Sequence, residues 1–555
     1  MKSKKFVALT AMLLMSATTV GAFAGCSGKE IIDPTYDSSK AALQVATYDG
    51  GVGRAWLDDA ARRFEELHKN STFGGKTGVQ VFVDAHKVNY GGENLSNGGM
   101  NKDVYFTEGV DYYTFVDRGL AADISDIVTT TSNTYGEEKT IESKLDGGIK
   151  SYLTAKDGKY YMLPFYDGFY GFIYDVDLFE EEGFYFNDAG KFIDGLGKGA
   201  DATAKAELEV AKSNGPDGVE NTYDDGLPAT YEQMIELADK IQGAGYIPFC
   251  YAGSTEYVDK AFRAYISDYE GYDGMRLNYT FNGKANVVTS ISNGVVNTKE
   301  VTITPENGYE LQKQAGKYYS LKMEETLFGS LKYLGGSTYN TMGHTEAQRK
   351  FINSKYSNTG ERYAMLAEGV WWENEADSVF KEIETNRGEK KSDRRFSFMP
   401  VPKASADLAG AQTMLSLNRS YAFINKDSQN MELAKEFMRF LHTDSEMSKF
   451  SAKTSIPRSL NYTVLTEDRA NATHFGQSLI DMRSKSKVVY PYSSAKIVLD
   501  NPSSFDDFEW FATTKIGKDK YTSPMLKFQD GTLSAEQYFN GLYAYQEDAW
   551  KTLKK

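Results

Sequence analysis

Cysteine is almost missing from this chain: 555 residues hold two, Cys26 and Cys250. That excludes a disulfide framework. Histidine is scarce as well, with five scattered residues (His68, His86, His344, His442, His474) and no HxxxH or CxxC spacing, which argues against a zinc centre. Basic side chains are in deficit, 62 Lys and Arg against 77 Asp and Glu, for a formal charge of −15. Nucleic-acid binding rests on Lys and Arg neutralising phosphates, and anionic lipid attracts polybasic segments, so neither partner is expected. The nucleophile elbow G-x-S-x-G and the phosphate-binding P-loop are both absent. After the first 25 residues no run is long and apolar enough to span a bilayer.

What is present begins with the leader. Lys2, Lys4 and Lys5 precede an apolar stretch from Phe6 to Met15, followed by Gly21-Ala22-Phe23-Ala24-Gly25-Cys26-Ser27. A positive flank, a short hydrophobic core and small residues before a break form a secretory signal. Cys26 directly after Ala-Gly resembles the lipobox of bacterial lipoproteins, with Phe23 where that motif usually has Leu. The resemblance implies a signal peptide over 1–26, diacylation of Cys26, and an exported protein anchored to the outer face of the cytoplasmic membrane by its N-terminal lipid alone. Residues 27–42 are polar and aperiodic and read as a flexible tether. Cys250, in Ile247-Pro248-Phe249-Cys250-Tyr251, is left without a partner and reads as a small buried hydrophobe.

The length predicts two or more domains, because single cores stop growing near ~250–300 residues. From Leu43 onward the pattern is β-α-β: a strand to Tyr48, then Leu57, Ala60, Ala61, Phe64 and Leu67 at helical spacing, then Val79–Val83 and Asp103–Thr107 as strands. This alternation predicts an α/β fold with a largely parallel sheet, whose ligands collect beyond the strand C-termini, where Tyr48-Asp49 and Thr107-Glu108 stand. Thr230 and Gln233 fit a capping box ahead of Met234, Ile235, Ala238 and Ile241. A helix with Leu433, Ala434, Phe437, Met438 and Leu441 on one face is expected between Asp427 and His442. Two stretches read as insertions, about 187–226 and 276–304, the second with the Asn-Gly pairs of a β-hairpin.

The aromatic content is high, 38 Tyr and 32 Phe, and it is concentrated. In Tyr160–Tyr174, eight of fifteen residues are aromatic, around Asp167. Ala364–Glu375 carries the adjacent pair Trp371-Trp372 beside Glu373. A pyranose has apolar C–H faces and a polar rim, so its site needs flat aromatic plates and a few groups that accept hydroxyl hydrogen bonds. Carboxylates suit the rim, since each is acceptor-only with four lone-pair sites. Roughly half of each cluster is expected in the core, with one ring of the Trp pair facing in and the other out.

The order of these segments resembles the extracellular solute-binding proteins of the maltose-binding type, the capture subunits of carbohydrate ABC importers. It runs from the strand ending at Tyr48-Asp49-Gly50, through Asp103–Gly109 and Gly168–Asp175, to the Ala364–Glu373 run, the Phe398-Met399-Pro400 strand and the Ala434–Leu441 helix. The resemblance implies two α/β lobes of the periplasmic-binding-protein type: 43–173 with 399–456, and 174–398 with 457–555. Three crossings, near Phe172–Tyr174, Phe398–Pro400 and Ser455–Arg458, would join them. By the same resemblance Tyr48, Asp49 and Glu108 line the N-lobe wall, Asp167, Phe169 and Tyr170 lie at the hinge, and Trp371, Trp372 and Glu373 form the C-lobe wall, with Tyr257 and Arg458 as further candidates. It implies a monomer that takes a carbohydrate, expected to be an oligosaccharide, hands it to permease subunits, has no catalytic residues and needs no cofactor.

One segment raises a cation: Asp217, Asn221, Asp224 and Asp225 in a glycine-bent loop offer the oxygens Ca²⁺ favours, though not at EF-hand spacing. The alternatives to capture are a secreted glycoside hydrolase, which needs two carboxylates ~5–10 Å apart across the scissile bond, and a ligand-sensing lobe of a membrane signalling protein.

Overall fold

A computed structural model describes residues 35–193, 202–255, 257–292, 294–358, 360–417, 419–501, 515–516, 519–520 and 523–553. Phe23 and Cys26, on which the lipid anchor rests, lie outside the described residues. Order begins earlier than the composition of the tether predicts. The Asp37 backbone N–H donates to Gln80 Oε1 at 3.0 Å and Gln80 Nε2 donates to the Asp37 carbonyl at 2.6 Å. The first strand starts at Ala41, so any free tether ends before Asp37.

Two sheets form the frame. In the first, Ala41–Thr47 pairs in parallel with Val79–Ala85 on one side and Val104–Glu108 on the other. Ser420–Ile424 then runs antiparallel to Val104–Glu108 and to Met162–Pro164. The helix Ala55–Leu67 covers this sheet with Trp56, Leu57, Ala60, Ala61 and Phe64. Leu67, expected on that stripe, is 53% exposed because the stripe ends one turn before the helix does. Met431–Leu441 buries Leu433, Ala434, Phe437, Met438 and Leu441 as the periodicity predicts.

The second sheet has the order Phe396–Met399, Tyr170–Asp175, Tyr363–Gly369, Ile247–Tyr251. Only the last pair is parallel; Tyr170–Asp175 runs antiparallel to both of its neighbours. Cys250 is fully buried in this sheet, its thiol against the Ala347 carbonyl, and burial pushes that thiol up. Helix Tyr231–Gly243 starts at Thr230, whose side chain accepts from the Gln233 N–H. The other half of the expected capping box is displaced by one residue: Gln233 Oε1 accepts from Ala229 N–H.

Three segments connect the sheets. The first spans 165–169, not Phe172–Tyr174, because the Tyr170–Asp175 run is itself a strand with both ladders filled. The second spans 400–419 and the third 455–473, between the helices Asp444–Thr454 and His474–Lys485. The segments are stitched to one another. Asp167 N–H donates to the Pro457 carbonyl at 2.9 Å, Leu417 N–H to the Gly168 carbonyl at 2.8 Å, and Gly168 N–H to Ser416 Oγ at 3.1 Å.

The insertions sit on the second sheet's side. A hairpin of Gly283–Ser292 and Val295–Ile303 forms as the Asn-Gly signature predicts. Its inner residues join small cores with Trp550, Tyr538 and Phe539 of the helix Ala535–Trp550. Among the described residues no helix is long and apolar enough to cross a membrane.

Candidate functional site

Strand ends build the first wall. Tyr48 follows Ala41–Thr47 and is held beside the next strand by its N–H donating to the Phe106 carbonyl at 2.8 Å. That next strand ends at Glu108, whose carboxylate accepts from the Tyr166 hydroxyl. Burial pushes the Glu108 carboxyl up to about 7, with repulsion from Glu375 adding to it. Burial, then Glu108 and Glu375, pushes the Tyr48 phenol up to about 12.

The second wall comes from the other sheet. Tyr170 opens one strand, Trp371 follows the end of Tyr363–Gly369, and Tyr257 begins a helix. Their rings meet edge to face: Tyr170 and Trp371 at 4.9 Å and 88°, Tyr170 and Tyr257 at 5.6 Å and 61°, Tyr257 and Trp371 at 6.2 Å and 71°. Such aromatic contacts add about 0.5–1.5 kcal/mol each beyond buried area. The Lys260 ammonium lies 5.5 Å from the Tyr170 ring and 5.8 Å from that of Tyr257.

Behind the rings stand two more carboxyls, Glu368 and Glu375. The Gln348 amide bridges them, Nε2 donating to Glu368 Oε2 at 3.2 Å and to Glu375 Oε2 at 3.0 Å. Glu368 is wholly buried, and burial together with Glu375 drives its carboxyl well above the usual carboxylate range. His344 Nε2 is 3.7 Å from Glu375.

The two walls touch. A Cβ added at Gly51 would overlap Trp371 Cβ and Cγ and lie 2.7 Å from its Cδ1, so only glycine allows this approach. Trp371 is 7% exposed. Gly51 of the first wall therefore lies against Trp371 of the second, and Glu108 lies near enough to Tyr170 and Glu375 to act on both.

The remaining candidates are engaged elsewhere. Asp167 is fully buried and accepts from Arg483 Nε at 2.8 Å; burial holds its carboxyl above the ordinary value although Arg483 opposes this. Phe169 is buried. Trp372 has no exposed surface and packs on Phe351, Phe396 and Phe475 at 5.1–6.0 Å. Glu373 accepts from Ser455 Oγ at 2.9 Å and Thr473 Oγ1 at 2.8 Å, which ties its helix to the third crossing. Arg458 is buried among Trp56, Phe165 and Phe450, bonded to His442, and burial pushes its guanidinium down to about 10. Asp49 is exposed.

Sequence reasoning passed over Glu368, Glu375, Gln348, His344, Lys260 and Tyr166. Glu375 stood in the tryptophan run. Choosing it over Glu373 needed the phase of the short helix Trp372–Glu375. Gln348 and His344 are one helical turn apart on His344–Asn353 and far from the run in sequence, so nothing local marked them.

In the Asp/Gly loop the carboxylates accept from the loop's own N–H groups: Asp224 from Asp217, Asp217 from Val219, and Asp225 from Asn221 and Thr222, at 2.7–3.1 Å. Burial raises the Asp224 carboxyl to about 6. Asp217 Oδ2 is buried without a hydrogen-bond partner. Among the described residues no group of three or more His, Cys, Asp or Glu is arranged to hold a metal ion.

Residues 73–447 match the family described as bacterial extracellular solute-binding protein. No curated protein matches the chain. Among solved structures, apo RafE from Streptococcus pneumoniae aligns at a TM-score of 0.52 and 14% identity, over 93% of this chain and 99% of that one. The GacH receptor of Streptomyces glaucescens, solved unliganded and with acarbose, gives 0.50 and 13% over 93% and 100%. The solute receptor AcbH, described as preferring β-D-galactopyranose, gives 0.52 and 14% over 92% and 99%. At these identities the likeness establishes the two-lobed α/β fold.

Proposed function

Because the chain belongs to the bacterial extracellular solute-binding proteins, we propose that it captures a carbohydrate, an oligosaccharide by the breadth of its aromatic lining, for an ABC importer. The observation that carries this reading is the contact of Gly51 with Trp371 between the two walls, with the Tyr170, Tyr257 and Trp371 rings together on one side and Glu108 acting on Tyr170 from the other. Rings from one lobe and a tyrosine and carboxyl from the other suit the faces and rim of a pyranose. RafE with raffinose is in keeping with that class of ligand.

Capture requires that ligand bind the closed state better than the open one. Moving a 1:99 ratio to 99:1 takes about 5.5 kcal/mol of differential affinity. Trp371 contributes to this because its approach to Gly51 exists only when the lobes are shut. The lobes divide at 165–169, 400–419 and 455–473 and hinge about the Asp167–Arg483 pair. The reading is one of binding without turnover, by a monomer. Calorimetric titration with oligosaccharides, amino acids and peptides, followed by product analysis, tests it. Saturable heat with intact sugars alone is expected; binding to peptides only, or cleaved sugar, contradicts it.

Two finer points belong to the same reading. Lipid on Cys26 would keep the trap near its permease at high effective concentration; radiolabelled fatty acid that is retained by a Cys26→Ser variant rules this out. Ca²⁺ at Asp217, Asn221, Asp224 and Asp225 is supported by the buried Asp217 Oδ2, which accepts no hydrogen bond and has only the Lys485 ammonium 4.0 Å away, and a melting temperature indifferent to EDTA and to added Ca²⁺ removes it.

A further inference from the structure

The segment that carries Trp371 is fastened on both sides. Before it, the Val370 N–H donates to the Phe169 carbonyl of the first crossing at 3.0 Å. After it, the Trp371 carbonyl accepts from the Asn374 and Glu375 N–H groups, both at 3.1 Å, so the ring rides on the short turn Trp372–Glu375. That turn reaches across to the helix Asp444–Thr454. Asn374 Nδ2 donates to the Thr454 carbonyl at 2.8 Å, one of the terminal carbonyls that a helix cannot satisfy from within. Glu373 Oε2 accepts from Ser455 Oγ, just past that helix, and from Thr473 Oγ1, which caps the helix His474–Lys485.

Thr454 and Gly51 belong to one packed block. Phe450 meets Trp56 edge to face at 4.8 Å, and Lys453 pairs with Asp59 at 2.8 Å. Trp56 and Asp59 stand on the helix Ala55–Leu67, just after Gly51. The segment 371–374 therefore touches this block twice, by Trp371 on Gly51 and by Asn374 on Thr454. Ser455 marks the joint as specially built. Its φ of 60° is left-handed, a conformation that helix ends usually give to glycine. Glycine would relieve that backbone and offer Glu373 no hydroxyl.

We propose that Asn374 is a positioning residue for capture: by capping the helix Asp444–Thr454 from the other lobe, it holds Trp371 against Gly51 and sets how long a bound sugar stays, without touching the sugar. This rests on the carbohydrate reading above. Opening must break the Asn374–Thr454 bond, whereas the first encounter with a sugar happens in the open state. Loss of the bond therefore acts on release, where most affinity differences between related complexes lie.

The test is stopped-flow tryptophan fluorescence of the purified chain with raffinose, maltotriose, xylotriose and chitotriose, the sugars that bind being carried through the variants. Asn374→Ala is expected to raise the dissociation rate about fivefold or more and to leave the association rate within about twofold. Asn374→Asp is expected to raise it further, because a carboxylate then faces the negative end of the helix. Asn374→His keeps an N–H at similar reach and is expected to restore slow release. Should Asn374→Ala fail to fold, Ser455→Gly keeps the backbone, removes the hydroxyl from Glu373 and is expected to shift release in the same direction. A dissociation rate unmoved in Asn374→Ala and Ser455→Gly, or an association rate that falls as far as dissociation rises, overturns the positioning role and leaves carbohydrate capture standing. No response to any of the four sugars overturns both.

Discussion

Trp371 and Trp372 are neighbours in the chain and belong to different regions of the molecule. Trp372 faces the core behind the second sheet, closed in by Phe351, Phe396, Phe475 and Phe380. Trp371 faces the opposite lobe across Gly51. The acids divide in the same way. Asp167 and Glu373 are met by Arg483 or by the hydroxyls of Ser455 and Thr473, and they hold the crossings together. Glu108 is met by the Tyr166 hydroxyl, Glu368 by the Gly369 N–H and the Gln348 amide, and Glu375 by that same amide. Aromatic and acidic side chains stand in both regions; what separates them is that Asp167 and Glu373 tie the crossings together, whereas Glu108, Glu368 and Glu375 gather around the Tyr170 ring.

That division can be broken by substitution, and the largest effects are expected in the framework. Trp372→Ala removes a fully buried ring and is expected to cost about 3–5 kcal/mol, read as a large fall in the urea midpoint. Asp167→Ala strands Arg483 in a buried site and is expected to cost about 3 kcal/mol, with the midpoint falling while any residual folded protein still binds sugar. On the cleft side, Gly51→Ala is expected to leave thermal melting near the wild type and to weaken sugar binding more than tenfold, because the new methyl meets Trp371 before the lobes shut. A Gly51→Ala protein that binds and compacts normally by small-angle scattering would show that the lobes do not meet there.

The smallest effect is a pH dependence. The folded Glu108 carboxyl titrates near 7, above its ordinary value of 4.5. A raised carboxyl favours the folded, closed state below pH 4.5, and that contribution is lost as pH rises through 7. The stability difference between wild type and Glu108→Gln should therefore fall across pH 4.5–7, by on the order of 1–3 kcal/mol. Urea midpoints measured at matched pH values check this, and a difference flat in pH would mean that the carboxyl is solvated.

Local pattern was enough for the helices Ala55–Leu67 and Met431–Leu441 and for the hairpin after Gly283, since each is set by spacing within a dozen residues. It was enough to place Tyr48 and Glu108 at the C-terminal ends of adjacent strands. It failed where partners come from afar. Nothing near Asp167 announces Arg483, 316 residues away, and nothing near Arg458 announces the Trp56, Phe165 and Phe450 rings that enclose it. An acid or a base beside aromatics reads as a ligand group until its buried counterpart is known.

The central claim is that Trp371 closes on a bound sugar. It is tested most directly by intrinsic tryptophan fluorescence during titration with oligosaccharides, in wild type and in Trp371→Phe. A saturable change in the wild type that disappears in Trp371→Phe is the expected result. A change that survives the substitution, or a wild type silent to every sugar, would contradict it.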